Sequence, residues 1–250
     1  MEHREYVRIS NNSNTAVLMI HGIFGTPRHF DEIIPVVPEG WSVYNILLDG
    51  HGGGVKDFAR TSMFKWKKQV DGMLGILYEK YDNIYVIGHS MGTLLSLDIS
   101  HKYADKIRAM ILLAVPLRIF LKPASAINSL KLVLGLISEE NPMDVASAKA
   151  HSVSHDAFFW HYAGWIPRYL ELFALIRKVR CDIENITVPC FTFQSAKDEM
   201  VAFSSVEYLK KNPLFTNHIL KKSMHFYYDR ADFKYLKESI KKILEERVEK

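Results

Sequence analysis

The stretch from Ile84 to Leu95 constrains this chain more than any other. Ile84-Tyr85-Val86-Ile87 is an apolar, β-prone run, and it enters Gly88-His89-Ser90-Met91-Gly92 before the helix-prone Thr93-Leu94-Leu95. A serine with glycine two places before and two places after it, set between a strand and a helix, reads as a sharp elbow that carries a nucleophile. Such a turn is tight, so a side chain at either glycine would meet neighbouring backbone. Ser90 is expected in a strained conformation with its oxygen above the sheet. The Met91 amide would then open the helix and point at developing negative charge. The pentapeptide also occurs in plain glycine-rich turns, and its placement between strand and helix is what favours chemistry.

Similar apolar runs recur at Tyr6–Ser10, Ala16–Ile20, Ser42–Leu48, Ala109–Ala114, Cys190–Phe193 and His218–Leu220. Several are almost continuously hydrophobic, as strands covered on both faces are. Amphipathic segments lie between them: Phe64–Tyr81 with Trp66, Val70, Leu74 and Tyr78, then Met91–Tyr103, and finally Tyr235–Val248 with Leu236, Ile240, Ile243 and Leu244. Alternation of this kind implies an α/β fold with a mostly parallel sheet of about seven strands flanked by helices. From Pro116 to Val188 the alternation stops. Helical patterns at Ala124–Ser138, Ala146–Ser152 and Tyr169–Val179 accompany many aromatics, among them Phe158, Phe159, Trp160, Tyr162, Trp165, Tyr169 and Phe173. A structureless loop of that length is improbable. A core domain over 1–116 and 189–250 with a helical cap inserted at 117–188 is expected.

The 250 residues suit one such domain, and 48% hydrophobic with 24% charged residues is ordinary globular composition. The net charge of +4 comes from basic residues spread along the chain. The densest group, Lys237, Lys241 and Lys242, alternates with glutamates as a solvated helix face does, so nucleic acid is not an expected partner. Cys181 and Cys190 form no metal or disulfide framework, and Cys190 reads as a buried core thiol. The polar N-terminus lacks a signal-peptide core, and no apolar stretch is long enough to span a bilayer. A cytoplasmic monomer or homodimer without stable membrane anchoring is expected.

A serine needs a base to take its proton. In a strand-elbow-helix site the acid and the histidine follow the serine in chain order. Asp198 stands after the late strand Cys190–Phe193, and His225 stands after the last strand. Glu199, Asp182 and Asp229 are rival acids. A second oxyanion donor is expected from the loop His21-Gly22-Ile23-Phe24-Gly25-Thr26-Pro27, at the Ile23 amide or, second, at Phe24. Thr26 suits a helix N-cap and Pro27 a first turn, and His21 is expected to brace the loop. The group His151, His155, Asp156 and His161 offers ligand types for a metal, but no ligand signature completes it.

Together these pieces resemble the α/β-hydrolase superfamily. The resemblance is strongest to the bacterial carboxylesterase and monoacylglycerol-lipase-like group with its cinnamoyl-esterase relatives. It is carried by His21–Thr26, Asp49-Gly50-His51-Gly52, the elbow 88–92, Asp198-Glu199-Met200-Val201 and His225. It implies a Ser90, Asp198, His225 triad, an oxyanion hole from the Ile23 and Met91 amides, and a helical cap. Asp49 stands where many relatives have proline, and Met224 where they have glycine. Acyl transfer from a small-molecule carboxylic ester to water, without cofactor or metal, is the expected chemistry. Short-to-medium acyl esters or monoacylglycerols come first. Feruloyl or cinnamoyl aryl esters are the alternative, as is an acyltransferase or thioesterase on the same triad. Peptidases and C–C hydrolases on the same fold, and a hydrolase-fold small-molecule receptor, are more distant rivals. Phe24, His89 and Met224 are candidate pocket residues.

Overall fold

The computed structural model describes residues 3–119, 145–146, 151–154 and 158–246. Among the described residues, seven strands form one sheet in the order β1-β3-β2-β4-β5-β6-β7. They are β1 (Tyr6–Arg8), β2 (Thr15–Ile20), β3 (Ser42–Ile46), β4 (Asn83–His89), β5 (Ile107–Leu113), β6 (Cys190–Ser195) and β7 (Phe215–Leu220). β1 is antiparallel to β3, and every other neighbouring pair is parallel. The seven apolar runs are thus the seven strands, with β4 central.

The alternation of side chains sorts each inner strand between two apolar layers. Ala16, Leu18 and Ile20 of β2 join Ile84 and Val86 of β4 on one face. Val17 and Met19 join Tyr85 and Ile87 on the other. The first face is covered by α2 (Met63–Lys80), α3 (Met91–Ile99) and α4 (Ile166–Asp182). Helix α2 starts where Ser62 accepts the Lys65 N–H at 3.2 Å, and it buries Met63, Trp66, Val70, Leu74 and Leu77 at helical spacing. The second face is covered by α6 (Arg230–Glu246) through Leu236, Ile240, Ile243 and Leu244. Two short helices are also present among the described residues: α1 (Val55–Arg60) and α5 (Ser205–Leu209).

Between β5 and β6 the described residues hold no named strand, only the 3-10 turns Phe159–Trp165 and Ile183–Asn185 around α4. The pattern at Ala124–Ser138 lies outside the described residues, and so does most of Ala146–Ser152. Leu172, Leu175, Ile176 and Val179 of α4 enter the same apolar cluster as α2 and α3. The buried carboxylate of Asp98 on α3 ties this layer together, since both Lys67 of α2 and Lys178 of α4 pair with it. The second part of the 117–188 region is therefore packed into the helical layer of the core.

Candidate active site

The parallel strands put the loops that follow β2, β4, β6 and β7 along one edge of the sheet. The chain turns to β3 on one side of β2 and to β5 on the other side of β4, so the loops after β2 and β4 face the point where strand order reverses. Ser90 follows β4 directly, with φ 50° and ψ −121°, a region that L-residues rarely occupy. Its neighbours hold it there. The Ser90 N–H donates to Leu113 O at 2.9 Å, and Ser90 O accepts from the Thr93 N–H at 2.9 Å and the Thr93 hydroxyl at 2.6 Å. A Cβ on Gly92 would lie 2.1 Å from Ile20 O, which makes any larger residue incompatible with α3 backing onto β2. A Cβ on Gly22 would lie 2.9 Å from the Ser90 Cβ, so the loop after β2 rests against the serine.

His225 Nε2 stands 3.1 Å from Ser90 Oγ, and its Nδ1 stands 2.9 Å from Asp198 Oδ2. All three residues are buried. Asp198 Oδ1 accepts the Met200 and Val201 N–H groups, each at 2.8 Å, which fixes the carboxylate plane. Burial alone raises the Asp198 pKa, but the His225 charge, the hydrogen bond to its ring and the two main-chain donors outweigh that and hold it below the ordinary value. Burial alone lowers the His225 pKa, but the Asp198 charge and hydrogen bond, with the Glu199 charge, hold it above the ordinary value. With a carboxylate on Nδ1, the proton sits there and the Nε2 lone pair faces the serine hydroxyl. Of the rival acids, Asp182 closes α4 and Asp229 accepts the Ala231 N–H at 3.0 Å.

The loop after β2 is ordered by its own histidine. Leu48 N–H donates into His21 Nε2 at 3.0 Å, so the His21 proton is on Nδ1, which donates to Gly22 O at 2.8 Å. Burial keeps His21 far below the ordinary histidine pKa, and His51 beside it adds to the effect. Gly22 O also accepts the Gly25 N–H at 2.9 Å. In a trans peptide the N–H points opposite to the C=O. Two donors pulling on Gly22 O therefore send the Ile23 N–H the other way. The brace expected at His21 is present.

The candidate pocket residues part company. Phe24, φ 58°, presents its ring to Trp165 and Phe58, both at 4.7 Å, and lies parallel to His151 at 6.2 Å. Met224 is half-buried, and its N–H donates to Tyr227 O at 2.8 Å. His89 is buried between other rings, with His29 at 3.8 Å and His225 at 4.9 Å, and its Nε2 donates to His225 O at 3.1 Å. His151 also meets Phe226 at 5.6 Å, while His161 rests on Phe158 and Trp160. His155 and Asp156 lie outside the described residues. Glu199, a rival acid by sequence, accepts the His225 main-chain N–H at 3.0 Å with its carboxylate. Only its position beside Asp198 could have pointed to this.

A mostly parallel seven-stranded sheet with a serine on the elbow after its central strand defines an α/β-hydrolase. Residues 11–227 match the Hydrolase_4 family, described as serine aminopeptidase, S33, and the chain belongs to that family of serine hydrolases. A thermostable monoacylglycerol lipase of Bacillus sp. (strain H-257) is 31% identical over 97 residues, which is 38% of this chain and 39% of that protein. The chain spans about a quarter to a half of the length of the curated relatives it matches. Among solved structures, the Paleococcus ferrophilus monoacylglycerol lipase has a TM-score of 0.70 at 18% identity, covering 98% of both chains. Est1E from Butyrivibrio proteoclasticus with ferulic acid bound has a TM-score of 0.68 at 21% identity, covering 99% of this chain and 96% of that one. No helix among the described residues is long and apolar enough to cross a membrane.

Proposed function

We propose that this protein hydrolyses small carboxylic esters, with short-to-medium acyl esters or monoacylglycerols as its substrate class, through an acyl-enzyme on Ser90. The unbroken contact line Ser90 Oγ, His225, Asp198 carries the reading. His225 takes the serine proton as Oγ adds to the ester carbonyl. The Ile23 and Met91 amides receive the negative charge on oxygen. Collapse expels the alcohol, which leaves with the proton from His225, and water then releases the acid by the same steps reversed. Asp198 keeps the proton on Nδ1 and offsets the charge of the imidazolium. Phe24 and Tyr169, which keep exposed ring surface over the buried Phe58 and Trp165, suit an apolar acyl group. Residues 117–188 act in part as a cap over these rings, and the working form is a cytoplasmic monomer or homodimer.

A panel of p-nitrophenyl and glyceryl esters of rising acyl length, with methyl ferulate and an aminoacyl p-nitroanilide, tests the reading. Turnover is expected on the alkanoyl esters, with a fluorophosphonate label on Ser90. Ser90→Ala should lose on the order of 10⁴-fold or more in kcat and all labelling. A Ser90→Ala protein that keeps its turnover refutes the assignment.

A further inference from the structure

We infer that Ser152 is a positioning residue for the oxyanion amide at Ile23, acting through the turn Gly22–Gly25. This rests on the hydrolase reading above. The Gly25 N–H closes a four-residue turn onto Gly22 O at 2.9 Å. Phe24 is the third residue of that turn and has φ 58°, where glycine is the ordinary occupant. A phenylalanine has no local reason to stay there, so the conformation is imposed from outside.

Trp165 and Phe58 hold the Phe24 ring, and one buried residue holds the main chain of the turn. Ser152 is 2% exposed, and its N–H donates to Phe24 O at 2.9 Å. Its hydroxyl lies 3.3 Å from Phe24 O and 2.5 Å from Gly25 O. The single hydroxyl proton goes to the nearer oxygen, Gly25 O, so the Ser152 main chain holds the Phe24 carbonyl and its hydroxyl holds the Gly25 carbonyl; removing the hydroxyl frees the Gly25 end of the turn and leaves Phe24 O on a single donor. Relaxing Phe24 to negative φ would swing its carbonyl off Ser152 and break the closure between Gly25 and Gly22. Gly22 O would then keep only His21 Nδ1, and the Gly22–Ile23 peptide plane would be free to rock. The Ile23 N–H would lose its aim. Ser154, two residues on, supplies the internal contrast, because its N–H and hydroxyl both donate to Gly53 O, at 2.9 and 3.2 Å. It docks the same segment on a different loop.

The test uses the full chain, p-nitrophenyl butyrate kinetics, and inhibition by phenylboronic acid, whose boron forms a tetrahedral adduct with a serine oxygen. Loss of a whole oxyanion donor costs about 10²–10³-fold in kcat, so loosening one through Ser152→Ala should cost roughly tenfold or more. KM should change by less than about twofold, and the boronic acid should weaken by the same factor as kcat/KM. Ser154→Ala should stay within about twofold of wild type in kcat. Ser152→Cys, of similar size with a weaker donor, should fall between, and it decides the matter if Ser152→Ala does not fold. A wild-type kcat in the serine-152 variants overturns the inference, as does a loss confined to KM or an equal loss in Ser154→Ala. In those cases active, labelled wild-type enzyme leaves the hydrolase reading standing. A wild-type protein that turns over no ester and takes no fluorophosphonate overturns both.

Discussion

Glu199 accepts the main-chain N–H of His225 at 3.0 Å, while the carboxylate next to it in the chain, Asp198, holds the ring of the same histidine at 2.9 Å. Two negative charges thus act on one imidazole, and both raise its pKa against the opposing effect of burial. His225 must be neutral to take the serine proton, so kcat/KM should fall as pH drops through a pKa above 6.5. Glu199→Gln keeps an acceptor oxygen and removes one charge. The acid limb of the pH profile should move to lower pH, with the rate on the alkaline plateau nearly unchanged. A limb that stays put, or moves up, contradicts the assignment.

Asp198→Asn separates charge from scaffolding. The Met200 and Val201 amides can still hold the side-chain oxygen, so the loop should keep its shape. The charge that favours imidazolium is gone, and an amide N–H facing Nδ1 selects the wrong tautomer. A loss of about 10³–10⁴-fold in kcat is expected, with KM little changed. Stopped-assay kinetics with circular dichroism on the same sample distinguishes this from unfolding.

The inner strands were legible because burial on both faces leaves near-continuous apolar runs, as Ile84–Ile87 and Ala109–Ala114 illustrate. Only the end of β7 was legible. It is an edge strand, so Thr216 is exposed and Asn217 and His218 are half-buried, which breaks the run. The elbow, the acid and the histidine follow from chain order, since parallel strands must deliver their loops to one edge. Ser152 could not be found that way. It bonds main-chain carbonyls 127 and 128 residues away, and carbonyls carry no residue code. His89, a candidate pocket residue by sequence, is buried against His29 at 3.8 Å, a contact between distant loops that nothing in its own segment announces.

That histidine pair and its neighbours make the fold sensitive to acid. Burial lowers His89 far below the ordinary value and takes His51 down to about 4. In the unfolded chain both titrate near 6.5. The unfolded state therefore binds protons that the native state refuses, and stability falls as pH drops from 6.5 toward 4. His225, raised by Asp198, works oppositely: its contribution is full below 6.5 and fades as pH rises through its folded value. Urea midpoints taken across this window should decline toward acid. The decline should be shallower in His51→Gln than in wild type, after allowing for its lower starting stability. Equal slopes in the two proteins contradict the role given to His51.

Gly92 and Gly72 offer one substitution with opposite signs. At Gly92 an added Cβ meets Ile20 O at 2.1 Å, so α3 must lift from the end of β2 and carry Ser90 with it. Gly92→Ala should destabilise by about 4 kcal/mol or more, in the range of severe core disruption, or prevent folding altogether. Gly72 lies in α2 with nothing within 4 Å of the Cβ position. Alanine there restricts the unfolded chain and suits the helix, so Gly72→Ala should stabilise by about 0.5–1 kcal/mol. Thermal unfolding of the two variants beside wild type decides the point. A tolerated Gly92→Ala would mean that α3 does not sit as close to β2 as the elbow requires.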